Sequence, residues 1–176
     1  MSFVDLLVPD QYVERVQQID LEGLLENGIR ALICDLDNTL VAWGSEEITE
    51  NTRSWLKEVH SKGFEVMIVS NALSGRVNHL AEQLDLPAIP RANKPRRRGY
   101  RRALDMLGVC PDETAVIGDQ LFTDVVGGNR LGMKTILVIP LAGKDFVGTR
   151  AVRMVEKLAL NYLTWRGLTR PPDTPD

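Results

Sequence analysis

Short, continuous apolar runs rich in β-branched residues recur along this chain and are separated by stretches with helical spacing. Four of them lie at Ile29–Cys34, Glu65–Val69, Thr114–Ile117 and Thr135–Ile139, and a shorter one lies at Ala88–Ile89. Continuous runs of strand length are typical of strands buried on both faces. Because parallel strands need crossover connections, these five runs predict an α/β fold: a doubly wound, Rossmann-like, mainly parallel five-stranded sheet flanked by helices.

The length of 176 residues predicts one main domain with short appendages. We place that α/β domain at residues 29–163, where it includes a C-terminal helix. Residues 1–28 are predicted to be a helical segment packed on the core, because Gln11–Leu25 has the pattern of one or two short helices. Residues 164–176 are predicted to be a flexible tail, since the sequence from Thr169 onward is polar and rich in proline.

Two of the predicted helices have distinctive glycines. The helix that includes Tyr100 and Leu107 is expected to end at Gly108, which is a typical C-cap residue. Another helix is predicted over Phe122–Leu131, although its two adjacent glycines are poor helix formers. We expect those glycines to allow close packing of the helix against the sheet.

The composition excludes several classes of protein. With 44% hydrophobic and 26% charged residues, the chain is typical of a packed domain rather than a disordered segment. No apolar run approaches the roughly 18 residues of a membrane-spanning helix, and the N-terminus does not resemble a secretory signal. The 2 cysteines cannot form a disulfide framework, so we expect a reducing, cytoplasmic environment.

Two carboxylates, Asp35 and Asp37, directly follow the first apolar run in the sequence Asp-Leu-Asp-Asn-Thr. Two carboxylates beside the end of a buried strand are costly to place together without a cation, and Mg²⁺ prefers such oxygen ligands. One of them could also attack a phosphoryl group and form an aspartyl-phosphate. The alternative is that the segment is only a turn rich in Asp and Asn.

Polar side chains also follow the next three apolar runs. Ser70 and Asn71 follow the second run, Lys94 follows the third, and Asp119 follows the fourth, with Asp124 five residues further on. Each has an ordinary explanation by itself, as a helix cap, a solvated lysine or a capping turn. Ligands of parallel sheets bind at the carboxyl ends of the strands, so together these positions predict one site.

The order Asp-x-Asp, Ser, Lys and Gly-Asp…Asp at successive strand ends resembles the haloacid dehalogenase (HAD) superfamily of aspartate-dependent phosphatases. The motifs run from Asp35 to Asp124, and the resemblance in fold extends to about residue 140. Within the superfamily the motifs are most similar to subfamily IIIA. More narrowly, they resemble the YqeG-like proteins related to mitochondrial phosphatidylglycerophosphate phosphatase, as does the N-terminal stretch Pro9–Val13.

The resemblance implies a role for each matching residue. Asp35 would be the nucleophile, and Asp37 would protonate the leaving oxygen and then activate water. Ser70 and Lys94 would hold the transferred phosphoryl group. Mg²⁺ would bind to Asp35, to Asp119 and to the backbone carbonyl of Asp37.

Other residues are expected to support the site or to contact the substrate. Asp124 would lie behind the metal ligands and hold them in place. The remaining candidates are expected on the substrate side of the site, and they are Asn38, Thr39, Asn71, Arg96, Arg97 and Arg98.

The spacing of the motifs leaves no room for a lid. Only 32 residues separate Asp37 from Ser70, and 23 separate Ser70 from Lys94. In HAD-type enzymes lid domains are inserted at these two places, so the resemblance implies a capless enzyme. Such a site is open to a phosphate on a bulky molecule.

The segment Arg91–Arg102 holds seven of the 21 basic residues and no acidic one. It adjoins Lys94, so we expect it to rim the site and attract an anionic partner. That partner could be an anionic membrane, which predicts peripheral membrane association, or a nucleic-acid backbone. Nucleic acid is the less expected of the two, because the aromatic residue among these charges, Tyr100, is explained as well by a place in the core as by a stacking platform. A solvated helix face is the third alternative.

The leading hypothesis is therefore a Mg²⁺-dependent phosphomonoesterase that forms an aspartyl-phosphate, with a lipid phosphate such as phosphatidylglycerophosphate as substrate. The alternatives are a phosphatase for nucleic-acid ends or small phosphometabolites, and a module that accepts phosphate or binds anionic surfaces without turnover. Asp37 is an argument against the acceptor, because a group that activates water shortens the lifetime of a phosphoenzyme.

Overall fold

The computed structural model describes residues 3–141 and 150–171, which form a parallel six-stranded sheet flanked by helices. The strands are β1 (Gln11–Val13), β2 (Ala31–Cys34), β3 (Glu65–Val69), β4 (Ala88–Ile89), β5 (Thr114–Gly118) and β6 (Lys134–Val138). Their order across the sheet is β1-β6-β5-β2-β3-β4, and every pair of neighbours is parallel. The α/β fold predicted from the apolar runs is confirmed.

The sheet has six strands rather than the predicted five, because β1 adds to its edge. Gln11 pairs with Ile136 and Val13 with Val138, where a helical segment was predicted. The helical parts of the described N-terminal segment are 3₁₀ turns at Asp5–Leu7 and Val16–Gln18 and a helix at Leu21–Glu26. A strand of three residues offers no apolar run, and backbone pairing with its neighbour holds it in place.

The helices alternate with the strands as expected. They are α1 (Leu21–Glu26), α2 (Glu50–Ser61), α3 (Ser74–Leu84), α4 (Arg97–Leu107), α5 (Val126–Asn129) and α6 (Arg150–Trp165). The predicted C-cap at Gly108 is confirmed, because this residue follows α4 with a φ of 68°. Helix α2 is the helical element between β2 and β3, and α3 is the one between β3 and β4, which agrees with the predicted absence of a lid in this described part of the chain.

Alternate residues of the central strands enter two different cores. On one face Leu32 and Ile68 pack in a cluster that includes Trp55 and Leu80 of the helices α2 and α3. On the other face the strands β2, β3 and β5 pack in a cluster that includes Tyr100 of α4. Because both faces are covered, the strands are apolar throughout, as continuous runs predict.

The predicted helix over Phe122–Leu131 is shorter and irregular. A π-helical turn at Leu121–Val125 leads into the short helix α5. The expected close packing against the sheet is confirmed for Gly128, whereas Gly127 packs against helix α4 instead. A Cβ on Gly127 would overlap the ring of Tyr100, and one on Gly128 would overlap Thr135 of β6.

Helix α6 packs across β6 and the irregular turn, with Leu163 buried beside Leu121 and Leu137. The helix continues to Trp165, so the first two residues of the predicted 164–176 tail are helical, and residues 172–176 lie outside the described part of the chain. No described helix has both the length and the apolar character needed to span a bilayer.

Candidate active site

A cavity of about 280 Å³ opens where the parallel strands end. Asp35 directly follows β2, Ser70 follows β3, and Asp119 follows β5, so the central strands carry these side chains to one edge. The cavity is lined by Asp35, Asp37, Asn38, Trp43, Ser70, Asn71, Ala72, Lys94, Gln120 and Thr123. This arrangement agrees with the prediction that the polar residues after successive strands meet at one edge of the sheet.

Three buried carboxylates form the centre of the site. Asp35, Asp119 and Asp124 each offer an oxygen, and these oxygens lie within 4.8 Å of one another. Residues 35 and 119 are therefore close enough to share a cation, as the sequence predicted. A cluster whose ligand atoms are all carboxylate oxygens fits Mg²⁺, which prefers hard oxygen donors.

Lys94 joins two of these carboxylates. Its Nζ donates to Oδ1 of Asp35 at 2.6 Å and to Oδ1 of Asp124 at 2.7 Å. The side chains of Lys94 and Asp124 are only 3% and 2% exposed, so this ion-pair network is shielded from water. Asp124, which was predicted only to support the metal ligands, thus lies beside them and also anchors Lys94.

Asn71 holds the loop that carries Lys94. Its Oδ1 accepts from the backbone N–H of Lys94 at 2.7 Å, and its Nδ2 donates to the backbone carbonyl of Lys94 at 3.2 Å. The amide lines the cavity, but both of its polar ends are used to position Lys94. Asn71 therefore positions the Lys94 loop, and its hydrogen bonds do not point to the predicted contact with substrate.

The Ser70 hydroxyl lies at the end of β3 and is buried. Its oxygen accepts from the backbone N–H of Ala72 at 3.1 Å. A hydroxyl that accepts one bond keeps its own proton to donate to another acceptor. Ser70 can therefore donate to an anion that enters the cavity.

Asp37 faces the cavity and is held by an arginine that the sequence reasoning missed. Arg76 of α3 donates to Oδ1 of Asp37 through Nη2 at 2.8 Å and Nε at 3.1 Å. A cation in the first turn of a helix is unfavourably placed relative to the helix dipole unless it finds an anion. The sequence signal for this ion pair was the position of Arg76 near the start of the predicted helix that follows Ser70.

The loop after β2 curls over the site. Asn38 has a φ of 63°, and its Oδ1 accepts from the backbone N–H of Trp43 at 3.0 Å. Thr39 is 2% exposed, and its Oγ1 has no hydrogen-bond partner among the described residues. Thr39 is thus part of the loop interior, whereas Trp43, which was not among the predicted site residues, lines the cavity.

Asp124 is also fixed from its own helical turn. Its Oδ2 accepts from the backbone N–H of Gln120 at 3.2 Å. The Tyr100 hydroxyl donates to the backbone carbonyl of Thr123 at 3.2 Å and lies 3.5 Å from Oδ1 of Asp124. Tyr100 is fully buried, so it belongs to the core and does not form a stacking platform.

Burial dominates the electrostatics of the centre. It raises the pKa of Asp35 to about 6, which Lys94 opposes and Asp124 reinforces. Burial also disfavours the charged form of Lys94, but Asp124 and Asp35 outweigh this effect and raise the pKa of Lys94 well above its usual value. A cation that joins Asp35 would favour the ionised carboxylate, which is the form that can attack phosphorus.

The basic residues at the start of α4 lie apart from the cavity. Arg96, Arg97 and Arg98 are all exposed, and none of them is among the described residues that line it. Their predicted contact with substrate is therefore not made within the cavity itself. A role at a larger anionic surface stays a prediction.

Comparison with known proteins agrees with this geometry. A family model described as mitochondrial PGP phosphatase matches residues 2–86, and one described as HAD-hydrolase-like matches residues 91–140. A solved Legionella pneumophila structure described as a HAD superfamily (subfamily III A) hydrolase has a TM-score of 0.51 at 24% identity, covering 84% of this chain and 92% of that one. That likeness supports the fold.

Two curated relatives match nearly the whole chain. The "Probable phosphatase YqeG" of Bacillus subtilis is 41% identical over 91% of this chain and 93% of its own length. The chloroplastic/mitochondrial phosphatidylglycerophosphate phosphatase 1 of Arabidopsis thaliana is 27% identical over 95% of this chain, which spans only 51% of that protein. The order of the motifs, the fold and the first of these relatives agree: the chain belongs to the haloacid dehalogenase superfamily of phosphatases, in its YqeG-like group.

Proposed function

We propose that this phosphatase is a Mg²⁺-dependent phosphomonoesterase that works through an aspartyl-phosphate on Asp35 and acts on a lipid phosphate such as phosphatidylglycerophosphate. The observation that carries the proposal is the buried centre, in which Asp35 and Asp119 offer oxygens within 4.8 Å of each other and an oxygen of Asp35 lies 2.6 Å from Nζ of Lys94. This arrangement gives one carboxylate both a cation partner and a shielded cationic neighbour.

The chemistry follows from the positions of the side chains. An oxygen of Asp35 attacks phosphorus, the bond from phosphorus to the ester oxygen breaks, and Asp37 gives its proton to that leaving oxygen. Asp37 then takes a proton from water as the water oxygen attacks phosphorus. The bond from phosphorus to Asp35 breaks, and inorganic phosphate and the carboxylate are regenerated.

Other groups of the chain stabilise the transferred phosphoryl group. The hydroxyl of Ser70 donates to its oxygens, and Lys94 offsets negative charge beside Asp35. Asp35 and Asp119 would hold Mg²⁺, which when bound neutralises charge that would otherwise repel a carboxylate nucleophile. Positioning and electrostatics supply most of the catalysis of phosphoryl transfer.

The lipid substrate is supported by relatives and by the open site. Two plant and algal relatives are named as phosphatidylglycerophosphate phosphatases, although the chain spans only 51% and 65% of their lengths. The connections around the site contain single helices and no inserted domain in the described part of the chain, so a headgroup attached to a membrane could enter. Trp43 at the edge of the cavity offers an apolar surface to such a molecule.

A small phosphometabolite is the second candidate. A glyceraldehyde 3-phosphate phosphatase of Methanothermobacter thermautotrophicus is 26% identical over 50% of this chain. The cavity of about 280 Å³ would suit a molecule of that size. A phospho-acceptor without turnover is less well supported, because Arg76 holds Asp37 at the cavity, where it can activate water.

The direct test compares phosphatidylglycerophosphate in mixed micelles with glyceraldehyde 3-phosphate, each with Mg²⁺ and with EDTA. We expect faster phosphate release from the lipid and loss of release in EDTA. Asp35→Asn should abolish turnover, whereas Asp105→Asn, which alters an exposed carboxylate of α4, should leave it unchanged. Preference for the small ester would overturn the lipid assignment, and full activity of Asp35→Asn would overturn the mechanism.

A further inference from the structure

The outward face of α6 carries a set of large apolar side chains that the catalytic site does not use. These residues are 45–82% exposed, and they are Met154, Val155, Leu158, Tyr162 and Trp165. Their spacing along the helix places them on one side of it. A contiguous exposed apolar face of this kind marks an interaction site.

The inner face of the same helix already supplies its packing on the domain. Leu163 is buried, Ala159 and Leu160 pack against the same core cluster, and Glu156 accepts from the backbone N–H of Phe122 at 3.3 Å. Helix α6 thus has one apolar side that packs on the domain and a second that faces outward. Contacts within the described domain account for only the first.

The exposed charges that residues 154–171 themselves contribute beside the outward face are all basic, and one of these residues, Arg166, also lies near the exposed carboxylate of Asp5. From residue 154 to residue 171 the exposed charged side chains are Lys157, Arg166 and Arg170, and the acidic residue of this stretch, Glu156, is buried. Helical spacing places Lys157 of α6 and Arg166, which directly follows the helix, on opposite sides of the apolar stripe. The side chains of this segment are therefore apolar along the centre of the face and basic along its edges, with Asp5 as an acidic neighbour of Arg166.

The two aromatic residues of the outward face, Tyr162 and Trp165, also lie next to its basic residues. The rings of Tyr162 and Trp165 lie near each other, with centroids 6.1 Å apart, at the C-terminal end of the helix. Trp and Tyr are favoured where apolar and aqueous phases meet. An apolar stripe with cationic flanks and aromatic residues is typical of helices that lie in the plane of an anionic bilayer surface.

We infer that α6 binds the surface of an anionic lipid bilayer through this outward face. A second copy of the chain is a poorer occupant, because two such faces would bring their cationic flanks together. Lys157 and Arg170 also line a cavity of about 290 Å³ that includes Asp119, so the bound helix would lie beside the candidate active site. A bound helix in this position would bring the active site close to a lipid substrate, and this consequence rests on the proposed function. Binding of the helix to the bilayer does not rest on it.

The test measures sedimentation of the full chain with vesicles of equimolar phosphatidylcholine and phosphatidylglycerol, and with vesicles of phosphatidylcholine alone. We expect binding to the anionic vesicles that weakens with added salt. The double variant Leu158→Glu with Trp165→Glu should bind at least about tenfold more weakly. Met106→Glu, which alters an exposed apolar residue of α4, should bind like the wild type.

Hydrolysis of water-soluble p-nitrophenyl phosphate is the control for an intact site, and circular dichroism is the control for folding. Both should be unchanged in the double variant. The inference would be overturned if the wild-type protein did not bind anionic vesicles, or if the folded double variant still bound them. It would also be overturned if the wild-type chain were a dimer in solution and the double variant a monomer, because the face would then bind a second copy. Vesicle binding without hydrolysis of phosphatidylglycerophosphate would instead overturn the lipid-phosphatase proposal and leave this inference standing.

Discussion

Replacement of Lys94 by methionine removes the one cation that lies between two buried carboxylates in the described structure. Its Nζ is 2.6 Å from Asp35 and 2.7 Å from Asp124, and the three side chains are between 2% and 9% exposed. Methionine keeps most of the volume and apolar contact of the lysine stem. The effect of Lys94→Met therefore reports the charge.

The expected loss of stability is large. Removing one partner of a buried ion pair leaves an uncompensated charge and costs about 3–5 kcal/mol. For a domain of this size that corresponds to a fall of about 6–20 °C in Tm. The deficit should shrink at acidic pH, because the pKa of Asp35 is raised and its protonation removes the repulsion from Asp124 that Lys94 normally offsets.

Thermal and urea unfolding followed by circular dichroism, with EDTA present, measure this effect. Lys62→Met is the matched control, because Lys62 pairs at 3.1 Å with Glu22, whose side chain is 79% exposed. An exposed pair of this kind contributes about 0–1 kcal/mol. If Lys94→Met lost no more stability than Lys62→Met at neutral pH, the argument from the buried network would be wrong.

Three further predictions concern the same site. Gly118→Ala should lower activity strongly, because its new Cβ would overlap the Asp124 carboxylate. Gly75→Ala is the control, because a Cβ there meets open space and should leave activity unchanged. Steady-state rates of hydrolysis compare the two variants. In metal-free protein the folded-state pKa of Asp35 is about 6 against 3.8 for the free group, so unfolding experiments should show stability falling by on the order of 3 kcal/mol as the pH rises through that interval. Asp35→Asn should remove this contribution to the slope, and an unchanged slope would contradict the assignment. Arg76→Ala should slow the hydrolysis of alkyl phosphates, whose leaving oxygen needs a proton, more than the hydrolysis of p-nitrophenyl phosphate. Equal losses of rate on the two substrates would refute the idea that Arg76 acts by positioning the general acid Asp37.

The sequence was most informative where one physical requirement fixes the residue type. Strands covered on both faces must be apolar throughout, so β2, β3, β5 and β6 were recognisable from their runs. Asp35 and Asp119 follow two of these strands directly, and parallel pairing brings their ends together. Their meeting was therefore predictable without any knowledge of side-chain contacts.

The missed features depend on contacts between distant parts of the chain. The three-residue strand β1 is held by backbone pairing with β6, which leaves no pattern in its side chains. The partnership of Arg76 with Asp37 spans 39 positions and depends on the orientation of a helix. Asn71 was expected to face a ligand, but its hydrogen bonds to the Lys94 backbone depend on the path of a loop.

The central claim is that Asp35 carries the phosphoryl group during turnover, and the Asp37→Asn variant tests it most directly. Because p-nitrophenolate leaves without a proton, this variant should still be phosphorylated by p-nitrophenyl phosphate but should lose the base that activates water. We predict that acid quenching and peptide mass spectrometry will find one phosphoryl group on Asp35, and none when Asp35→Asn is added. A phosphoryl group on another residue, or turnover by Asp37→Asn with no phosphorylated peptide, would contradict the account.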